Sequence, residues 1–178
     1  MKYIVISALL VTLVSCNNPV ERSSKKYIDL KSFFEQEISR LTKSKTIVLK
    51  TVSRNEIQQT KKTDNINWKN ELNLFIESDI NKPSWSASYK ITENAKQITY
   101  IAIDNNLRTR KINIQKNEDG QIRNLEIQNR TNNSLYQSVE NLHYDTKEGY
   151  LIDKSQHVLL IGTNQYKITG KFERITEK

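Results

Sequence analysis

Hydrophobic residues first follow a helical period along this chain and later alternate with polar ones, and the change comes at Pro83. In residues 29–43 and 67–80 apolar side chains recur at three- and four-residue steps, which predicts two amphipathic helices. Asp29 and Asn67 stand where helix N-caps are expected. Pro83 ends the second run because its ring cannot continue a helix.

Strands are predicted both between the helices and after them. Residues 46–53 and 56–62 are rich in β-branched side chains and flank a polar turn at Arg54-Asn55. Behind Pro83 the chain keeps to strand-like runs joined by short turns. These runs lie at residues 85–91, 97–103, 108–116, 122–129, 135–144, 150–153, 157–161 and 166–172.

Several of these runs carry specific expectations. Residues 97–103 (QITYIAI) are apolar on both faces, which predicts a central strand. Alternation in the next run places Arg110 on one face with Ile112 and Ile114. Asp119-Gly120 is a strong hairpin signal. Further turns are expected at residues 132–133, 148–149, 153–154 and 162–164.

Short connections favour antiparallel neighbours, because parallel strands need long crossovers. The sequence therefore predicts an α+β fold: a long, curled antiparallel β-meander of about 8–10 strands, covered on one face by two amphipathic helices. With only four glycines and two prolines and no internal repeat, residues 27–178 are expected to form a single globular domain.

The first residues form a targeting segment. Lys2 is followed by an apolar run over residues 3–14, which is too short to span a bilayer as a helix. The tetrapeptide LVSC that ends at Cys16 resembles the lipobox of bacterial lipoproteins. That resemblance implies a signal peptide over residues 1–15, a diacylglycerol on the thiol of Cys16, and a polar tether over residues 16–26. The alternative is an unlipidated signal sequence that happens to carry a cysteine.

The single cysteine and the net charge are consistent with a lipidated protein that is exported from the cytoplasm. An exported chain with one thiol cannot form an internal disulfide, and alkylation removes a reactive group. In the lipoprotein family Asn17 after the cysteine, in place of aspartate, implies the outer membrane, and a tether without an acidic run implies the periplasmic side. The net charge of +8 suits an anionic surface, or simply keeps the domain soluble. No nucleic-acid motif is present, so we expect no nucleic-acid partner.

Little in the sequence indicates catalysis. His143 and His157 lie on separate predicted strands, and the chain has neither a zinc-binding spacing nor a nucleophile elbow. Carboxylate pairs within the helices are two residues apart and face different sides. We therefore expect no catalytic residue, metal site or cofactor, and a protein that is not an enzyme.

Aromatic and basic residues form the candidate ligand site. Trp85, Tyr89 and Tyr100 fall on predicted strands of the curled sheet, where they would line an apolar pocket or fill an ordinary core. Arg108 and Arg110 flank a turn and would bind an anionic headgroup, or protect a solvated strand edge.

Taken whole, the chain resembles the small uncharacterised lipoproteins of Bacteroidota. The resemblance is carried by LVSC, by residues 71–85 (ELNLFIESDINKPSW) and by residues 152–171 (IDKSQHVLLIGTNQYKITGK). It implies a location and no reaction. A looser architectural likeness is to periplasmic lipoprotein carriers, whose curled sheet under helices holds acyl chains; the helix at residues 67–80 departs from that scheme.

Two functional hypotheses remain. The first is a non-enzymatic, outer-membrane-anchored envelope protein that binds a hydrophobic ligand, a lipid or a partner. The second is a structural or assembly lipoprotein that docks another envelope protein through its sheet face. A hollow apolar cavity would favour the first, and a filled core with exposed apolar residues would favour the second.

Overall fold

The computed structural model describes residues 26–173, so Cys16 and the predicted signal peptide over residues 1–15 lie outside the described part. Within this range three α-helices are present: α1 (Leu30–Lys43), α2 (Trp68–Glu71) and α3 (Asn73–Ile76), with a 3₁₀ turn at Pro83–Trp85. The strands are β1 (Val48–Arg54), β2 (Ile57–Thr63), β3 (Tyr89–Glu93), β4 (Gln97–Ala102), β5 (Thr109–Lys116), β6 (Ile122–Asn132), β7 (Tyr136–Asp145), β8 (Gly149–Val158) and β9 (Gly162–Phe172).

All nine strands form one open antiparallel sheet in the order β2-β1-β9-β8-β7-β6-β5-β4-β3. Strands β3 to β9 are a plain meander, and β1 returns beside β9 with Val48 opposite Phe172. The sheet does not close, so β2 and β3 are its edges. The prediction of an α+β fold with a long curled meander under helices is confirmed.

Helix α1 begins and ends as its sequence predicts. The side chain of Asp29 accepts a hydrogen bond of 3.0 Å from the backbone N–H of Ser32, which satisfies one of the free donors of the first turn. Leu30, Phe34 and Leu41 lie on one face and are fully buried against the sheet.

The second predicted helix is interrupted. Asn67 caps it as expected, but the chain leaves helical geometry at Leu72 and restarts as α3. Asn70 and Asn73 flank the break, and asparagine is a poor residue for a helix interior because its side chain competes for backbone hydrogen bonds. The break allows Trp68 to pack beside the ring of Phe172 while α3 contacts α1.

Three strand predictions need correction. Residues 85–88 are not part of a strand: Pro83 starts a 3₁₀ turn that contains Trp85, and β3 begins only at Tyr89. Proline suits the first position of such a turn because its backbone φ is already fixed near the required value. Residues 97–103 do not form a central strand, because β4 is second from the edge, and its outward Ile101 is 46% exposed.

The third correction concerns residues 150–161. The expected turn at Asp153-Lys154 is absent, and β8 runs unbroken from Gly149 to Val158. Lys154 does not mark a turn, because it pairs with Glu140 on the neighbouring strand. The turn expected at residues 162–164 lies earlier, at residues 159–161.

The core is built around packed aromatic rings. Phe34 of α1, Phe75 of α3 and Tyr144 of β7 are all fully buried. The ring centroids of Phe34 and Phe75 lie 5.0 Å apart, and those of Phe34 and Tyr144 lie 5.1 Å apart. Such edge and tilted contacts stabilise beyond the area that they bury.

Buried hydroxyl-carboxylate bonds tie the helices to the sheet. The hydroxyl of Tyr144 donates to the Glu37 carboxylate of α1 at 2.5 Å, and the hydroxyl of Tyr150 donates to Glu71 of α2 at 2.6 Å. Burial, together with the neighbouring carboxylate, raises the pKa of both tyrosines well above the ordinary value. Lys50 completes the second pair with a 2.6 Å bridge to Glu71.

We expect Tyr144→Phe to destabilise the fold by about 1.5–3 kcal/mol, because a buried carboxylate loses a charge-assisted donor. Urea denaturation followed by circular dichroism measures the change. Tyr166→Phe is the matched control: this half-buried tyrosine of β9 lies outside the helix contacts, and we expect a change within about 0.5 kcal/mol. Equal losses in the two variants would contradict the role given to the Tyr144 hydroxyl.

Candidate functional site

The helices cover only half of the inner face of the sheet. In the covered half, inward residues such as Leu142 of β7 and Ile127 of β6 are buried under α1 and α3. Farther along the same strands the helices no longer reach, and inward side chains are partly exposed. We call this second region the open half; it contains Val52, Arg54, Tyr136, Lys154, Gln156, Val158, Asn164 and Tyr166.

A buried ion-pair cluster marks the boundary between the halves. The Glu140 carboxylate lies 2.6 Å from the Arg108 guanidinium and 3.1 Å from the ammonium group of Lys154. Burial alone would raise the pKa of Glu140, but Arg108, Lys154 and the Asn129 amide together hold it below its usual range. The carboxylate is therefore charged at neutral pH and fully engaged.

Two polar atoms beside this cluster have no partner among the described residues. They are the hydroxyl of Ser138 and the amide oxygen of Asn129, in side chains that are 3% and 2% exposed. The Asn129 amide group donates to the Ser78 hydroxyl at 2.8 Å and to Glu140 at 3.2 Å. Buried polar atoms without partners cost free energy. The Ser138 hydroxyl and the Asn129 amide oxygen could therefore each form a further hydrogen bond at the boundary.

Two of the five predicted ligand-binding residues lie side by side in the core. The Tyr89 and Tyr100 rings both pack edge-on against Tyr27, with centroids 5.5 and 5.8 Å away. The Tyr89 hydroxyl donates to the Thr109 carbonyl, and the Tyr100 hydroxyl accepts from the Ile28 N–H. Burial raises the pKa of Tyr89 to about 12 and also raises that of Tyr100.

The other three predicted residues are dispersed. Trp85 is half-buried on the 3₁₀ turn, with the Lys82 ammonium 4.0 Å from its ring centre. Arg108 belongs to the ion-pair cluster. Arg110 binds the Asp104 carbonyl and the Asn105 side chain across its own turn.

Arg110 lies at an irregularity in the pairing of β5, where the simple alternation of faces expected from the sequence is interrupted. The pairing of β5 with β6 shifts between Thr109 and Lys111, so Arg110 is the extra residue of a β-bulge. The bulge turns Thr109 inward, where it is buried. A strict two-residue alternation cannot anticipate such an insertion.

An apolar tip ends the sheet beyond the open half. We use this name for Leu135 of the β6–β7 turn and for Leu159, Leu160 and Ile161 of the β8–β9 turn. Their exposed fractions are 65%, 52%, 99% and 75%. The two turns are adjacent, because the Leu159 N–H donates to the Leu135 carbonyl at 3.0 Å.

The β8–β9 turn carries backbone strain. The Ile161 N–H donates to the Val158 carbonyl and closes the turn, in which Leu160 has a φ of +70°. Glycine or asparagine normally occupies such a position, since a leucine there costs about 1–2 kcal/mol. A fully exposed leucine in a left-handed conformation suggests a functional use.

The tip is also free of formal charge. Residues 131–139 and 155–166 contain no Lys, Arg, Asp or Glu, although 27% of the chain is charged. Sequence patterns do not locate this site, because the apolar run in residues 157–161 predicts a strand, whereas residues 159–161 form a turn. The two long uncharged stretches were the signal that could have found it.

Nothing in the described residues forms a recognisable reaction centre. His143 lies 4.0 Å from the exposed Glu126, and His157 bonds the Thr163 hydroxyl at 3.0 Å on the outer face. Within residues 26–173 no three His, Cys, Asp or Glu side chains stand close enough to hold a metal ion. No helix in the same range is long and apolar enough to cross a membrane.

Comparison of the chain with protein-family models, curated proteins and solved structures finds no match.

Glu140→Gln should destabilise the fold by about 2–3 kcal/mol at pH 7, because Arg108 and Lys154 lose their buried counter-charge. The folded-state pKa of Glu140 lies below its unfolded value near 4.3, so this stabilisation is full above that value. It disappears as pH falls through the folded-state pKa. The gap between wild type and variant in denaturation midpoint should therefore narrow below about pH 4.

Glu126→Gln on the neighbouring strand serves as the control, because Glu126 is exposed. We expect it to change the midpoint little at any pH. A gap for Glu140→Gln that stayed constant from pH 7 to pH 3 would show that the charge of this carboxylate is not what stabilises the boundary.

Proposed function

We propose that this protein is a non-enzymatic, lipid-anchored protein of the bacterial envelope that docks another envelope protein through the open half of its sheet. The observation that carries the docking role is the filled space beneath the helices. Phe34, Phe75 and Tyr144 occupy it in mutual contact, so a hydrophobic ligand has no enclosed volume there. Small-molecule sites usually enclose most of their ligand.

The chemistry of the open half suits a protein partner. Tyrosine rings and valines alternate with polar groups, a mixture typical of interfaces that form and dissociate. Tyr136 and Tyr166 supply large, rigid contact areas, and the Arg54 guanidinium lies over the Tyr166 ring at 5.4 Å. Tyrosine and arginine are the residue types that most often dominate binding energy.

Charge narrows the kind of partner. Arg108 and Lys154 share one carboxylate, Glu140, and Arg54 lies over the Tyr166 ring, so this surface keeps an excess of positive charge. We propose a partner segment that presents apolar side chains flanked by Asp or Glu. Complementary charge of this kind steers association and sets orientation.

Support for the anchor comes from the sequence. A short apolar run ends at Cys16, the single cysteine of the chain, in the context LVSC. Acyl chains contribute about 0.8 kcal/mol for each buried CH₂ group, and stable anchoring takes more than one chain. We place the protein at the outer membrane, facing the periplasm, as the residues after Cys16 imply.

A hydrophobic ligand belongs to the first hypothesis drawn from the sequence, and the geometry favours it less than docking. Tyr89 and Tyr100, which would line its pocket, pack on Tyr27 and use their hydroxyls in hydrogen bonds within the chain. A ligand would have to displace these contacts before it could bind.

Replacement of Cys16 tests the anchor. We expect Cys16→Ser to prevent acylation, so intact-mass spectrometry should find no diacylglycerol-modified product. The wild type and Ser15→Ala, which keeps the thiol beside a small residue, should carry the modification and pellet with membranes after a high-salt wash. An unmodified thiol in wild-type protein would overturn the anchor and leave the docking surface to be tested separately.

Site-specific crosslinking tests the docking surface. A photoreactive amino acid at Tyr166 faces the open half, whereas one at Lys167 faces the opposite side of the same strand. In intact cells we expect one discrete protein adduct from position 166 and none from position 167. The exposed Arg54→Glu change should lower the adduct yield about tenfold, as a reversed charge repels an acidic partner.

Equal adducts from both positions, or a yield at position 166 that ignores Arg54→Glu, would count against the proposed surface. Membrane fractionation of the same samples reports the anchor independently, so failure of one part is distinguishable from failure of the other.

A further inference from the structure

The apolar tip is not explained by docking through the open half, because its residues lie in the turns beyond the strands that form that surface. Pairing between β1 and β9 ends at Arg54 opposite Tyr166, whereas β8 and β9 stay paired up to Val158 and Gly162. The β1–β2 turn reaches Gln165, whose backbone bonds Asn55, so residues 162–164 of β9 extend past that turn, which is about 10 Å of strand. Leu160 stands at the end of this projection and is 99% exposed.

We infer that the apolar tip inserts into the surface of a phospholipid bilayer, a second membrane contact besides the lipid on Cys16. The inference rests on the proposed envelope location. This apex of four exposed side chains on two adjacent turns offers a protein little area to bury, because stable protein interfaces need about 800 Å² from each partner. The same apex can enter the boundary between headgroups and acyl chains, where interfacial segments bury their apolar side chains to about 5–10 Å.

Side chains are layered behind the apex in the order that a bilayer surface requires. The first layer is the exposed trio Leu159, Leu160 and Ile161. Tyr136 is opposite Val158 at the next level, where the amphipathic rings of tyrosine favour the membrane interface. Behind them, Asn164 and Gln156 pair at a level of uncharged polar groups that suit headgroups. Arg54 and Tyr166 lie farther from the turn, so this part of the open half remains for the protein partner.

Positive charges come last in this sequence of layers. Arg130 is opposite Val139, and Lys154 is opposite Tyr166, several residues back from the turn. Residues 155–166 hold no formal charge, so insertion of the apex requires no ionic group to lose its hydration. The basic residues remain in water, where they can attract anionic headgroups.

The backbone conformation of Leu160 supports the inference independently. The turn position of Leu160, with φ at +70°, favours glycine or asparagine in a protein selected for stability alone. Its occupation by a large apolar side chain fits a contact made outside the folded domain. Leu160→Asn should therefore keep or raise the melting temperature of the protein while it removes the apolar apex.

A fluorescent label tests the inference in the full-length, lipidated protein. Acylation consumes the thiol of Cys16, so Leu160→Cys carries the single free thiol and can take an environment-sensitive nitrobenzoxadiazole group. Asp119→Cys, in the hairpin turn between β5 and β6, is the matched control. The proteins are placed on vesicles of phosphatidylethanolamine with a minority of phosphatidylglycerol.

We expect the label at position 160 to shift to shorter emission wavelength and to be quenched by lipids with a shallow doxyl group. The label at position 119 should show neither change. Adding Leu159→Asn and Ile161→Asn should abolish both signals at position 160, because the flanking apolar residues no longer hold the apex in the lipid.

A label at position 160 that stays in water on vesicles would overturn the inference. If intact mass confirms the acyl chains, the anchor then stands without the tip. If the mass shows no acyl chains, positions 160 and 119 are compared in the Cys16→Ser chain, where a difference between them still reports the tip. Protection of position 160 in cells but not on protein-free vesicles would assign the tip to a protein and equally overturn insertion.

Discussion

The central constraint of this fold is a mismatch between the size of the sheet and the size of its helical layer. Strands β6 to β9 have ten or eleven residues each, about 33–36 Å, whereas the 14-residue α1 is about 21 Å long. The helices can cover only part of the inner face. Where the helices lie on the sheet, the hydroxyls of Tyr144 and Tyr150 donate hydrogen bonds to the helix carboxylates of Glu37 and Glu71. Where they stop, the Glu140 cluster separates the dry core from a solvent-facing surface.

That division separates the residues that stabilise the fold from the residues of the proposed interaction surface. The covered half holds the fully buried side chains, and its contacts are internal to the chain. The apolar tip holds side chains that the domain does not cover, such as the exposed Leu160, and the boundary holds the Ser138 hydroxyl, which has no partner among the described residues. Exposed aromatic and apolar groups gathered at one end of a domain are typical of an interaction surface.

Local patterns predicted much of the fold, and they failed where tertiary contacts reinterpret a residue. Helical spacing and the Asp29 cap located α1, and Asp119-Gly120 located a hairpin, because those signals are local. The local pattern predicts a turn at Lys154 because its partner Glu140 is distant in sequence. The cluster at Arg108 combines residues that are distant in sequence, and the bulge at Arg110 shifts the β5–β6 register without any mark in the sequence. Spacing rules cannot recover such sites.

The pairing of the first strand with the last has a kinetic consequence. Val48 meets Phe172 across roughly 120 residues, so the sheet cannot be completed until the final strand is available. Until then, β1 and β2 are an isolated hairpin, a unit that is marginally stable by itself. Loop closure over such a distance is slow, and the apolar face of the meander stays unprotected in the meantime. Completion of the sheet is therefore expected to be late and to depend on the C-terminal strand. Chaperones that bind unfolded chains have time to act before it.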